Sequence, residues 1–306
     1  MTIAILLTVC CFVLFVPVPI VLANARWTQR APIAAVTLWQ AIGLAGSISA
    51  FGAGLAVAIE PMNTSVTGGV SEFFDRAVYG GFFQHLGLTG AFGLTISTDV
   101  LAAIFTCVGV TMYRTAKARR RHRRLLDLVG EQDERVPGSL LLRHPSAVAY
   151  CIPGMRSRIV FSVGAIEALP DELLQAVSAH ERGHAHGRHD LVMLPFASMV
   201  DVLQLIPYAR IAPAAVAELL EMAADDFACR THQSKVVADA LVRLVEAGAV
   251  SAPKCAFSAS SVSVGRRVAR LVQSDQNSRS AACLGLLGAG LVIALPIAAF
   301  AAPPSL

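Results

Sequence analysis

The sequence predicts a multi-span α-helical membrane protein carrying one mainly α, small-sheet (α+β) domain, and three observations lead there. Of 306 residues, 55% are hydrophobic and only 15% charged, too apolar a balance for a water-soluble domain of this size. The apolar residues gather in four runs, at about 2–23, 33–59, 96–113 and 281–301, each near the roughly 20 residues that cross a bilayer. Residues 114–280 are the one stretch polar enough to fold in water.

Charge placement orients the runs. No Lys or Arg precedes the first run, whereas Arg26 and Arg30 follow it. The small-residue triplet at Ala23-Asn24-Ala25 looks like a cleavage site, but this charge order predicts an uncleaved helix with its N-terminus outside. The second run carries Gly43, Gly46, Gly52 and Gly54, small residues that let helices approach closely in lipid. Glu60, Glu72 and Asp75 against Arg76 then read as an outer loop. Residues 79–94 are apolar but glycine-studded, fitting either the interface or the start of the third helix. Asp99 lies near the outer end of that helix and reads as solvated.

Arg114, Lys117, Arg119, Arg120, Arg121, Arg123 and Arg124 come immediately after the third run. A basic cluster directly after a span places the downstream chain on the cytoplasmic side. It reads as a stop-transfer anchor rather than as a nucleic-acid or anionic-lipid binding site. The seven cysteines show no CxxC spacing, and four of them lie in apolar runs, so they read as reduced core or lipid-facing residues.

Within the polar stretch, 139–142, 148–152 and 158–163 are β-prone and punctuated by Pro153-Gly154, predicting a small sheet. An exposed edge strand can bind an extended peptide through its backbone. Arg158, Ile159, Val160 and Phe161 are the expected strand. Next comes a helix signalled by Pro170 and an N-cap at Asp171, with Leu173, Leu174, Ala176 and Val177 as its apolar face.

That helix carries His180-Glu181-Arg182-Gly183-His184. An HExxH helix sets two imidazoles one turn apart on one face, where both reach a single zinc ion, and puts the glutamate beside the remaining coordination position. A catalytic zinc site wants a third protein ligand. Glu221, opening an ExxAD segment with Asp225 one turn on, is favoured over Asp190 and over Glu218. Asp190 would serve in an HExxH-xx-G-xx-D arrangement, yet an apolar helical pattern continues from Leu191 and no later methionine turn is evident. Residues 191–207, interrupted by Pro195 and Asp201, make a poor span and read as a buried or membrane-apposed helix. His186 and His189 read as solvent-facing. His189, His232 and Tyr208 are the candidates for stabilising an oxyanion.

Taken together, Ser157 through Ser162, Ala179 through Asp190 and Glu221 through Asp225, behind three spans and before a fourth, resemble the integral-membrane zinc peptidases of the β-lactam-sensor (BlaR/MecR) antirepressor type. The resemblance implies a gluzincin-like zincin domain holding one zinc ion on His180, His184 and Glu221. It also implies a catalytic Glu181 and supporting roles for Asp225, Arg188 and Asp190. By the same resemblance the partner is a cytoplasmic protein substrate, a winged-helix repressor, with membrane lipid around the spans and no direct nucleic-acid contact. The chain departs from the best-known members in having only five residues after the last run, where those carry a penicillin-binding sensor. An HtpX-like quality-control peptidase shares HExxH and ExxxD, but three preceding spans and the R-x-D extension argue against it. A metal transporter would need ionisable ligands in the spans, which hold little beyond Asp99 and His85. A catalytically silent sensor would have lost Glu181 or a ligand. Residues 235–250 read as an amphipathic core helix. Arg266, Arg267 and Arg270, ahead of the last run, read as a second cytoplasmic anchor.

Overall fold

The computed structural model describes residues 1–59, 68, 75, 87–154, 157–200, 203, 205–248, 261–273 and 278–301. The acidic loop apart from Asp75, residues 79–86 with His85, Asp201 and the last five residues lie outside them.

Among the described residues, four helical segments are long and apolar enough to cross a membrane. The first, Thr2–Ala23, is two helices, α1 (Thr2–Phe15) and α2 (Pro17–Ala23); Pro17 has no N–H to continue the ladder and so starts a new helix. After the short α3 (Trp27–Arg30), α4 (Pro32–Ile59) is the most buried of the spans and packs against α1, the third span and the last one. Its glycines make those contacts close. A Cβ on Gly46 would strike Phe15, on Gly52 Phe300, and on Gly54 the Gly93 carbonyl.

The third span differs from its expected form. It lies inside a single helix, α5 (Gly87–Val129), of 43 residues, about 64 Å at 1.5 Å per residue against a hydrocarbon thickness of about 30 Å. The glycine-studded residues from Gly87 onward thus belong to the helix. Its other end runs through the whole basic cluster without a break, because Arg, Lys and Leu propagate a helix as readily outside lipid as inside it.

The strands β1 (Leu140–Leu142), β2 (Ala149–Ile152) and β3 (Arg158–Ser162) form a sheet in the order β1-β3-β2, with β3 parallel to β1 and antiparallel to β2. This overturns the edge role expected of Arg158, Ile159, Val160 and Phe161. As the central strand, β3 has its backbone groups taken on both sides, and Val160 and Phe161 are fully buried. The outer side of β1 is bridged by Glu131, which exchanges two backbone hydrogen bonds with Leu141. Among the described residues β2 is the strand left at the sheet's open edge.

Beyond the sheet, α6 (Val163–Ala168) leads to α7 (Asp171–His186), α8 (His189–Val192), α9 (Leu194–Met199), α10 (Pro207–Ala228), α11 (Ser234–Glu246), α12 (Ser261–Val272) and the last span, α13 (Arg279–Ala301). The described part of the stretch expected as one helix over 191–207 thus begins as two short helices, α8 and α9. Two cores organise these elements. One joins the sheet, α7 and α11 around Phe161, Leu169, Leu174 and Val237. The other runs from the candidate membrane helices into α10, with Leu14, Trp39 and Ile42 packed against Tyr208, Val216 and Met222. In this way α10 is seated on α4 at one end and lies along α7 at the other.

Candidate metal centre

Helix α7 forms where the sequence places it. Asp171 and Glu172 occupy its first turn, where carboxylates meet the positive end of the helix dipole. Asp171 lies inside the helix rather than capping it, and its carboxylate takes the Arg135 guanidinium at 2.6 Å. Leu174, Ala176, Val177, Ala179 and Gly183 face inward. Gly183 is where α7 meets α10: a Cβ there would sit 3.1 Å from the Ala224 Cα and from the Phe227 Cβ. That close approach carries Glu221 to the histidines.

His180 and His184 Nε2 atoms are 3.1 Å apart, His184 Nε2 lies 3.3 Å from Glu221 Oε1, and His180 Nε2 lies 3.6 Å from Glu221 Oε2. Among the described residues these three form the one group able to hold a metal ion, their ligand atoms all within 4.8 Å of one another. Neither rival for the third position comes in. Glu218 faces Arg266 at 2.8 Å, and Asp190 accepts from Arg119 at 2.8 Å. Arg188 lies on the flank with its Nε 3.8 Å from Asp190.

Each inner nitrogen faces a close neighbour, which fits the group to a metal. His180 Nδ1 stands 3.0 Å from Asp225 Oδ1, and His184 Nδ1 is 2.9 Å from His189 Nδ1. With those neighbours on the inner side, both Nε2 atoms face the shared space, as metal-bound imidazoles require. His186 is exposed, as its sequence context suggests, and lies against Phe227. His189 is not: it is buried beneath His184. Gly187 makes room for it, since a Cβ there would lie 2.4 Å from His189 Nε2. Tyr208 is elsewhere, donating to the Trp39 carbonyl at 3.0 Å within the membrane-side core.

The largest surprise is Arg267. Rather than anchoring α12 at the membrane surface, it is 3% exposed and grips Asp225 with two hydrogen bonds, 2.8 and 2.7 Å, and Glu221 with a third, 2.9 Å. Arg270 pairs with Asp226 and with the Gln29 carbonyl. The three arginines thus match Glu218, Glu221, Asp225 and Asp226 across two helices. The signal was present as complementary spacing: acids at 218, 221 and 225 lie on one helical face, as do arginines at 266, 267 and 270.

These contacts set the charges. Burial works against the His180 imidazolium, but the Asp225 and Glu221 carboxylates outweigh it and hold its pKa up to about 10. Burial would raise Asp225, yet Arg267 and His180 bring it down to about 2. Glu221 is held well below the usual carboxylate range by Arg267 and the histidines despite its burial. Burial and the neighbouring His184 lower His189 to about 3, so its neutral ring can accept at Nδ1 from His184.

Residues 114–251 match the model of Peptidase family M48. No curated protein and no solved structure matches the chain. The M48 segment opens at the first arginine of the basic cluster and contains His180, Glu181, His184, Glu221 and Asp225. It supports a metallopeptidase, and peptidases of family M48 are zinc-dependent. Arg267 lies beyond the M48 segment, so the acids of the site and the cation that gathers them come from different sides of its boundary.

On the near side of the site stands β2. Its Cys151 feels Glu181 and Asp190; burial first, then those two carboxylates, push the thiol up to about 12. Against an ordinary value near 8.5, the thiolate fraction at pH 8 falls by about a thousandfold. Cys151 is accordingly expected to resist iodoacetamide at pH 8 in the folded protein and to react at least about a hundredfold faster once denatured. Peptide-resolved mass spectrometry reads this directly, and equal rates in the two states would contradict the burial of Cys151 on β2.

Proposed function

We propose that the chain is a membrane-embedded, zinc-dependent endopeptidase, with His180, His184 and Glu221 as metal ligands and Glu181 as the catalytic base. The supporting observation is the convergence of two imidazole nitrogens and one carboxylate from separate helices on one point, inside a segment that matches a peptidase family. Zinc held there lowers the pKa of bound water and polarises a peptide carbonyl.

The rest falls to the chain's own residues. Glu181, buried on the same helix one residue from His180, takes the proton of the attacking water and returns it to the leaving amine. Asp225 holds His180, and His189 holds His184, so that each ring presents the same nitrogen. Arg267 neutralises Glu221 and Asp225 together, which lets the buried Asp225 carboxylate lie beside the partly buried Glu221. A peptide laid along the open edge of β2 would pass beside Glu181, so the substrate-binding edge is assigned to β2.

In this reading the basic cluster and the rest of the peptidase segment are cytoplasmic and the N-terminus is outside. The substrate is a cytoplasmic protein, a winged-helix repressor by the motif resemblance to the antirepressor type, and cleavage serves signal-dependent gene regulation. The test uses full-length protein in lipid nanodiscs with zinc quantified, incubated with a repressor encoded beside it. A single metal-dependent cut is expected, abolished by chelator and restored by zinc. An intact repressor alongside degraded unfolded membrane proteins would move the assignment to a quality-control peptidase.

A further inference from the structure

We propose that Arg119, on the extension of α5 beyond its apolar run, is a positioning residue for the metal centre, acting through Asp190 and His189 on His184. The proposal rests on the peptidase reading above. Arg119 and Asp190 are 71 residues apart in sequence, yet Nη1 donates to Oδ2 at 2.8 Å. The Asp190 side chain is only 8% exposed. Its other oxygen, Oδ1, is buried without a hydrogen bond, with Arg188 Nε no nearer than 3.8 Å. Among the described residues, Arg119 is the side chain that donates a hydrogen bond to this carboxylate. A carboxylate so placed depends heavily on its one good partner, because water does not replace it.

The local backbone makes this dependence matter. Asp190 sits in α8, a helix of four residues, far too short to be stable alone. The chain enters α8 through Arg188 in the left-handed region at φ 48°, a conformation that costs a non-glycine residue energy and persists only when its surroundings impose it. Two side-chain tethers impose it here: Asp190 to Arg119, and His189 to His184. Because the two residues are adjacent, holding Asp190 holds His189. His189 occupies Nδ1 of His184 and turns Nε2 toward Glu221. The path thus runs from a helix that also forms a candidate span to one metal ligand, and the seat of α5 becomes a determinant of metal affinity.

The test compares full-length wild type, Arg119→Gln, Asp190→Asn and the double variant in nanodiscs. Zinc dissociation constants come from chelator competition, and ligand geometry from the visible spectrum of the cobalt-loaded protein. Each single change is expected to weaken zinc about ten- to a hundredfold, as loss of an outer partner of a ligand does, and to alter the cobalt spectrum. The double variant should be no worse than either single one, since both remove one link. Arg119→Met keeps the apolar stem and serves as the second variant if Arg119→Gln does not fold. Wild-type zinc affinity with an unchanged spectrum overturns the assignment. So do additive losses, or failure of both Arg119 variants to fold, which would mark the pair as a general strut. Wild-type protein that takes up no zinc defeats the peptidase reading itself, whereas zinc-replete variants equal to wild type defeat only the role of Arg119.

Discussion

Glu181→Gln is expected to keep one zinc per chain and to lose peptide hydrolysis by at least about a hundredfold, since a positioned general base contributes roughly 10²–10⁴ in rate. Gln has the shape of Glu and can still accept a hydrogen bond, but it cannot take a proton from water. Metal content should be untouched because Glu181 is not among the three residues whose ligand atoms converge. The measurement pairs metal analysis with single-turnover cleavage. Zinc retained with wild-type cleavage would remove Glu181 from the chemistry, and zinc lost would mean that the residue binds metal instead.

Arg267→Ala should be the most destabilising single change around the site. It removes the partner of the buried Asp225 carboxylate and of the partly buried Glu221 at once, and breaking a buried ion pair by deleting one side costs about 3–5 kcal/mol. Chemical denaturation of the metal-free protein is the direct reading, with the midpoint shifting and the slope unchanged. Arg267→Lys should recover only part of the loss, because an ammonium cannot span Asp225 with two parallel hydrogen bonds and reach Glu221 as well. Stability equal to wild type in Arg267→Ala would show that the carboxylates find other partners. The same variant should also bind zinc less tightly, since Glu221 is no longer held toward the histidines.

The two variants separate chemistry from architecture: one acts on a group that handles a proton, the other on the scaffold that lets ligands and acids share a dry space. Arg119 belongs with the second kind, at one remove. Beside each of the two inner nitrogens of the ligand histidines stands a residue that an arginine distant in sequence reaches, directly on the His180 side and through the adjacent residue on the His184 side. On the His180 side the order is Asp225 then Arg267, and on the His184 side it is His189, with Asp190 beside it, then Arg119.

What the sequence determined by itself was local or periodic. Helix α7 could be read because its apolar spacing, its acidic first turn and its HExxH lie within one window, and a helix places residues four apart on one face whatever surrounds it. The four apolar runs were legible for a similar reason, since lipid demands length and composition rather than particular contacts. Glu221 was reachable because its spacing to Asp225 repeats the helical turn.

The tertiary structure decided what depends on residues far apart in the chain. Strand order cannot be read from three β-prone segments, and a parallel β1–β3 pair put β3 at the centre and left β2 at the edge. His189 looked like a solvent-facing member of a polar helix end until the left-handed turn at Arg188 folded it under His184. Arg267 looked like a membrane anchor because arginine before an apolar run usually is one. Its burial is decided by Glu221 and Asp225, 46 and 42 residues away. A charge leaves water only when its counter-charges are brought to it, and that meeting is arranged by the packing of α12 on α11, which turns its arginines toward α10, not by any pattern within either helix.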